Sequence, residues 1–469
     1  MAEKIAVILA AGLGKRMNSR RHKVVHEVCG KPMIAHIVEE MKSVGFHRMI
    51  VVVGKLEEQV RAVLGNEVTY ARQTEQLGTG HAVMQAVPFL TEDSLTVVLY
   101  GDSPLIQKQD VMNLIAKAEE SRATTVLTAE VEDPFAYGRI IRAEDGSVER
   151  IVEEKDADDV IRQIREVNSG IYAFQTKELL KVLPKMTADN AQGEYLLTDT
   201  VAHIRSNGGR VIPVVMKDAG DIANVNDRIQ LAHVEKRMQS RILLRHMQNG
   251  VTIMDPDHTY VHAEVIIGQD TVLYPGTILE GNTTIGMDCV IGPNTRLVNA
   301  ILADRVTVQS SVVMDSRIEA EASVGPFAYI RPESQIGARA KIGDFVEIKK
   351  STIGEDTKVS HLAYVGDSEV GARVNIGCGV VTVNYDGFVK HKTIIGDDSF
   401  IGSNVNLVAP IQIGDGGYVA TGSTVTDNVP ADAFAIARER QTTKPDYVKS
   451  LKERLRMKSQ NGSKPNGLE

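Results

Sequence analysis

Through the C-terminal half of the chain an aliphatic residue returns every six positions. Ile267, Leu273, Leu279, Ile285, Ile291 and Leu297 form one run. Ile318, Val324, Ile330, Ile336, Ile342 and Ile348 form a second, and Ile395, Ile401, Leu407, Ile413 and Val419 a third, often with glycine next in sequence. Short-period self-similarity of this kind is the hexapeptide signature of a parallel β-helix, in which each strand and corner make one side of a coil and the inward aliphatics stack between coils. Chance spacing in an unrelated all-β domain does not keep so many positions in register.

The N-terminal half reads differently. Short apolar runs (KIAVILAA, RMIVVVG, SLTVVLYGD, TTVLTAEV, RVIPVVM) alternate with amphipathic stretches such as PMIAHIVEEMKSVGF and QDVMNLIAKAEES. Continuous apolar strands separated by helical periodicity predict a mostly parallel sheet covered on both faces, a doubly wound, Rossmann-like α/β domain. Asp227 to Gln248 is rich in helix formers and closes on Asn249-Gly250, a stop signal. The expected organisation is an α/β domain over 1–228, a linking helix over 229–250, a β-helix over 251–437 and a C-terminal segment over 438–469. In that last segment DYVKSLKERLRMK reads as a short basic helix and SQNGSKPNGLE as a disordered tail.

At 469 residues the chain exceeds one core on a prior of ~150 residues per domain. A net charge of -8 lacks the basic excess of a nucleic-acid binder. Cys29, Cys289 and Cys378 are widely separated, which excludes a disulfide framework or a CxxC metal site and fits a reducing cytoplasm. The apolar start of MAEKIAVILAAGLGKRM is broken by a Gly-rich turn and charges well before the ~18 residues of a membrane span. It reads as a buried first strand, with no membrane association.

Two places carry chemistry. LAAGLGKRMNSRRHK follows the first strand, so its glycines fall where backbone N–H groups can approach phosphate, although the loop has neither the Walker nor the dinucleotide spacing. Glycines alone are equally compatible with a structural turn. Arg16 and Lys23 close behind the loop suit a triphosphate whose charge builds on leaving pyrophosphate. LTVVLYGDSPLI puts Asp102 just past the carboxyl end of a buried strand, where open α/β sheets bind ligands, and a carboxylate there is a good magnesium ligand. The bland alternative is a helix cap for a segment starting at Pro104.

The second place is TKVSHLAYVG. Val359 and Ala363 occupy the first and fifth places of a repeat and His361 the third, which elsewhere holds Gln269, Pro275, Gly281, Asp344, Glu355, Asp397 and Ser403. His361 is therefore expected to point out of the coil, either as an idle surface histidine or as a base for an attacking amine. The repeat lapses between Thr382 and Ile395, where VNYDGFVKHK should project as a loop carrying Asn384 and Tyr385 outward.

LAAGLGKRM with Lys23, QTEQLGTGHA, YGDSPL, YGRI, VEEKDA, EVNSGIY and NVNDRIQL, in that order, resemble the sugar-1-phosphate nucleotidyltransferases. Followed by the hexapeptide repeat with His361, the chain from Ile5 to Arg438 resembles the bacterial bifunctional N-acetylglucosamine-1-phosphate uridylyltransferase and glucosamine-1-phosphate N-acetyltransferase family. The resemblance implies a left-handed β-helix and a homotrimer with acetyl-transfer sites between neighbouring β-helices. It implies that Leu9, Ala10, Ala11 and Gly12 hold the nucleotide through backbone groups, that Arg16 and Lys23 bind phosphate, and that Gln73, Gly78 and Thr79 surround uracil. Gly138, Glu153 and Asn168 would meet N-acetylglucosamine, with Asp102 and Asn226 as magnesium ligands. An amide such as Gln73 offers both a donor and an acceptor to a base edge presenting both.

In the C-terminal domain the resemblance makes His361 the catalytic base and Arg331, Lys349, Tyr364 and Asn375 the glucosamine-1-phosphate contacts. Asn384, Tyr385, Ser403 and Arg438 would bind acetyl-CoA, with Cys378 and Thr421 at coenzyme positions where the family often has alanine. Lys15 stands where the family more often has a small hydroxyl residue, and Arg21-His22 replace a less basic pair. The implied activity is acetyl transfer from acetyl-CoA to glucosamine-1-phosphate, then joining of N-acetylglucosamine-1-phosphate to UMP from UTP, giving UDP-N-acetylglucosamine. Two rivals keep the architecture: a monofunctional nucleotidyltransferase of the ADP-glucose pyrophosphorylase type, with a β-helix used only for oligomerisation, and a non-catalytic scaffold subunit.

Overall fold

The computed structural model describes residues 3–461. The chain divides into two compact units, residues 1–284 with 296–299 and residues 285–295 with 300–469.

The first unit is built on strands β1 (Lys4–Ala10), β2 (Arg48–Val53), β3 (Thr69–Arg72), β4 (Leu95–Tyr100), β5 (Thr124–Glu130), β6 (Arg139–Arg142), β7 (Val148–Val152), β8 (Glu166–Gln175) and β9 (Val211–Val215). The main path runs β9-β5-β8-β4-β1-β2-β3, with β6 and β7 as a hairpin beside β8. All five apolar runs expected to be strands are strands. In β1, Ile5, Val7 and Leu9 enter one core while Ala6, Ile8 and Ala10 enter the other, which is why the strand reads as continuously apolar. Along the main path pairing is parallel except at β8, which lies antiparallel between β4 and β5, and the β6–β7 hairpin is antiparallel as well. Helices α1 (Met33–Val44), α2 (Thr79–Ala86), α3 (Lys108–Ser121) and α4 (Asp199–Ser206) belong to the same unit.

Helix α5 (Arg228–Gln248) follows, its start capped by the Asp227 side chain, which accepts from Gln230 N at 2.8 Å. Short hexapeptide strands begin at Thr252–Ile253. The compact unit nevertheless reaches to 284, beyond the boundary near 250 read from sequence. The first coils are tied back: Ala263 N donates to Cys29 O at 2.9 Å, Gln239 and Val261 exchange two bonds of 3.2 Å, and Lys31 meets Glu264 at 2.6 Å.

The second unit is a parallel β-helix with three faces, two of them joined in one continuous sheet. One face stacks strands at 290, 307, 323, 341, 358, 375, 400, 418 and 434. A second stacks 312, 329, 347, 364, 381, 406 and 424, and a third 301, 317, 335, 352, 369, 394 and 412. Every aliphatic position of the six-residue repeat is buried in the chain. At two coils the strand runs on through a corner: β10 (Lys341–Lys349) pairs with β11 (Lys358–Gly366), and Phe345 and Leu362 turn it with φ of 56° and 38°. The register step from Ile376 to Ile401 is longer than its neighbours because the 384–392 loop is inserted there. Helix α6 (Tyr447–Asn461) takes in the first residues of the tail expected to be disordered; residues 462–469 lie outside those described. Among the described residues no helix is long and apolar enough to cross a membrane.

Candidate active sites

The first site is a crevice of about 440 Å³ at the carboxyl ends of β1 and β4, lined by Leu9 to Gly12, Lys23, Gln73, Gly78, Thr79, Asp102, Glu153 and Asn226 among others. Adjacent parallel strands bring the pieces together: Leu9 lies opposite Tyr100, and Gly101 N donates to Leu9 O at 2.9 Å. Val225 N donates to Asp102 O at 3.0 Å, which sets Asn226 beside the carboxylate.

Asp102 and Lys23 form an ion pair with side chains only 10% and 13% exposed, and the same ammonium donates to Asn226 Oδ1 at 3.1 Å. Two oxygens thus converge on one positive charge. A carboxylate and an amide carbonyl are hard donors of the kind magnesium takes, with waters and phosphate oxygens completing its shell, so the pair fits the ion the resemblance implies. The helix-cap alternative for Asp102 fails. The next helix, α3, starts only at Lys108, and the carboxylate is engaged with Lys23.

Gln73 is buried, bonded through Nε2 to Gly78 O at 3.2 Å and to His81 Nδ1 at 3.0 Å. Gly78 (φ 115°) passes so close to the Tyr195 backbone that a Cβ would lie 2.5 Å from its carbonyl oxygen. Thr79 Oγ1 accepts from Leu197 N at 3.0 Å. Gly138, Glu153 and Asn168 gather together: Asn168 N donates to Gly138 O at 2.9 Å, and a Cβ on Gly138 would sit 3.5 Å from Glu153 Oε2. Burial raises the Glu153 carboxyl above its ordinary range, against a 3.1 Å bond from the Thr198 hydroxyl. Arg16 is exposed and outside the crevice lining. Tyr100, Gln76, Thr198 and Asn224 also line it and were not singled out from sequence. Tyr100, Gln76 and Asn224 stood in the quoted motifs YGDSPL, QTEQLGTGHA and NVNDRIQL, whereas nothing local marked Thr198.

In the second unit His361 is 62% exposed, not sealed in the coil, and its Nδ1 lies 2.6 Å from Asp344 Oδ1. These residues are direct partners in the β10–β11 register. The column continues through Cys378, Ser403 and Thr421: Gly379 N donates to Leu362 O, Asn404 N to Cys378 O and Gly422 N to Ser403 O. Past the corner lies a second group. Lys349 Nζ donates to Asp367 Oδ2 at 3.1 Å, Asn384 Nδ2 donates to the same carboxylate, and Asn384 also reaches Tyr364 OH at 3.3 Å. Arg331 is held by Glu347 at 2.7 Å. A side-chain hydrogen bond with Lys349, and then repulsion by its charge, hold the Lys390 ammonium below its usual range.

The 384–392 loop therefore departs from expectation in one respect. Tyr385 is exposed, but Asn384 is buried at the loop's base, because Asp367 and Tyr364 take up its amide. Asn375 sits on the first face, in register with Phe400, and Arg438 is exposed after the last coil. Asp344 and Asp367 were not recognised as site residues, although Asp344 was visible as a third-place residue of its repeat.

Comparison with known proteins agrees with both halves. A nucleotidyl transferase family model matches residues 5–236, a bacterial transferase hexapeptide model residues 264–299 and 392–427, and a GMPPB C-terminal domain model residues 312–385. A "Bifunctional protein GlmU" of Brevibacillus brevis is 53% identical over 453 residues, 96% of this chain and 98% of the relative. The chain belongs to the GlmU family. A second GlmU, from Acetivibrio thermocellus, is 53% identical over 446 residues, 95% of this chain and 97% of its own. As a GlmU-family member the chain is a bifunctional enzyme, a uridylyltransferase through its nucleotidyltransferase region and an acetyltransferase through its hexapeptide region.

Proposed function

We propose that the chain makes UDP-N-acetylglucosamine in two steps. In the second unit, the amine of glucosamine-1-phosphate attacks the thioester carbonyl of acetyl-CoA. His361 Nε2 takes the amine proton as the C–N bond forms, and the coenzyme leaves as its thiol. Arg331 and Lys349 hold the sugar phosphate by charge, with Tyr364 and Asn375 on the sugar. Asn384, Tyr385, Ser403 and Arg438, with Cys378 and Thr421, carry the coenzyme.

In the first unit, a phosphate oxygen of N-acetylglucosamine-1-phosphate attacks the α-phosphorus of UTP in line and pyrophosphate leaves. Leu9 to Gly12 present backbone groups to the nucleotide, Gln73, Gly78 and Thr79 orient uracil, and Gly138, Glu153 and Asn168 orient the sugar. No protein nucleophile is needed; Arg16 and Lys23 offset charge on the leaving pyrophosphate. A magnesium ion held by Asp102 and Asn226 would neutralise triphosphate charge.

The acetyl-transfer residues of one chain fall on both sides of a β-helix corner, and the unit exposes stacked rings at Phe327–Phe345 and Phe400–Tyr418–Phe434. Both features support a homotrimer in which neighbouring copies complete each site. Cys29, Cys289 and Cys378 form no disulfide among the described residues, which fits the cytoplasm. The observation that carries the first half is the convergence of Lys23, Asp102 and Asn226 in one crevice with the nucleotide-loop backbone.

The deciding experiment is a coupled assay from glucosamine-1-phosphate, acetyl-CoA, UTP and magnesium to UDP-N-acetylglucosamine. Free thiol and pyrophosphate are followed separately. Pyrophosphate from UTP and N-acetylglucosamine-1-phosphate, with no thiol from acetyl-CoA, would leave only a nucleotidyltransferase; release of neither would leave a scaffold.

A further inference from the structure

We infer that Asp344 is the positioning residue that fixes the tautomer and orientation of His361 for acetyl transfer. This rests on His361 being the base of that reaction.

Asp344 and His361 occupy the same place in successive coils, and the β10–β11 ladder holds them in register. The fit between the coils is tight. A Cβ on Gly343, one residue before Asp344, would lie 1.8 Å from Ser360 O, so the two backbones stack closely just before the pair. The side chains meet at 2.6 Å, Oδ1 to Nδ1.

The protonation follows from chemistry. The contact with His361 holds the Asp344 carboxyl below its usual range, so it is a carboxylate near neutrality and can only accept. Nδ1 must then carry the proton, which leaves Nε2 with the lone pair that a base needs. Without Asp344 the neutral ring is free to carry its proton on either nitrogen and to rotate. As an anion, Asp344 also stabilises the imidazolium formed when the amine proton arrives. Cys378, Ser403 and Thr421 continue the same column, so a fixed ring is aimed along a defined surface.

The test compares Asp344→Asn, which loses the charge and whose amide can offer Nδ1 an N–H as well as an oxygen, with Asp344→Leu, which offers neither. In the full-length protein, kcat for acetyl transfer should fall on the order of tenfold in the first and a hundredfold in the second. KM for glucosamine-1-phosphate and acetyl-CoA should stay within about twofold. Uridylyl transfer by the same preparations reports on folding. Nitrogen NMR of the His361 ring should show the proton on Nδ1 in the parent, but on Nε2 in a substantial fraction of both variants. Parental kcat with an unchanged tautomer in Asp344→Leu would overturn the inference while leaving His361 as the base. Retention of acetyl transfer by His361→Ala would instead remove the reading on which it rests.

Discussion

The ammonium of Lys23 stands between the Asp102 carboxylate and the Asn226 side-chain carbonyl and donates to both. One cation therefore occupies the space at which two hard oxygens point. Replacing Lys23 with Met should leave that pair uncompensated, so the free protein should bind Mn2+ more tightly than the parent, by roughly tenfold or more at an effective dielectric near 20. The same change should lower uridylyl transfer on the order of a hundredfold through lost charge on pyrophosphate. Paramagnetic resonance titration with Mn2+, with Asp102→Asn as the control, measures the first effect. Equal affinity in parent and variant would show that Lys23 does not compete for those oxygens.

His361 and Asp102 belong to separate units, and the two activities should separate with them. His361→Ala should reduce acetyl transfer on the order of a hundredfold or more and leave uridylyl transfer intact. Asp102→Ala should do the reverse. Both are read from thiol and pyrophosphate release on one preparation; loss of both activities from either change would argue against independent sites.

Gly343 allows the coils beneath His361 to approach. Alanine there cannot avoid Ser360 O without spreading the ladder, so Gly343→Ala should cost about 1–3 kcal/mol in the β-helix. It should also depress acetyl transfer with no substrate contact removed. Denaturant unfolding and the thiol assay test the two parts.

Acid should weaken the first unit earlier than carboxylate titration alone would. Burial lowers both His22 and His246 from 6.5 to about 4. The unfolded chain then takes up these protons while the folded chain still refuses them. Stability is full above 6.5 and falls as pH drops towards 4, at up to about 1.4 kcal/mol per pH unit for each histidine. The denaturation midpoint should be lower at pH 5 than at pH 7; an unchanged midpoint would show that the folded rings are already accessible to protons.

Much of this was legible in the chain itself. The six-residue aliphatic period alone requires the β-helix, because inward positions must stack coil upon coil. The all-apolar strands require a sheet buried on both faces. Both are local patterns, and the Lys23, Asp102 and His361 signals are local too, each lying at a predictable strand end or outward corner. Strand β8 escaped because the EVNSGIYAFQ segment drew notice for its motif rather than its pairing, and its antiparallel place between β4 and β5 rests on partners far away in sequence. What only the tertiary structure decided is which charges meet. Lys23 is aimed at Asp102 and Asn226, 79 and 203 residues away, and His361 at Asp344 one coil below. Periodicity sets which way a side chain faces, whereas its partner is set by how strands and coils are stacked, and hydrogen bonds and ion pairs act only across those few ångströms.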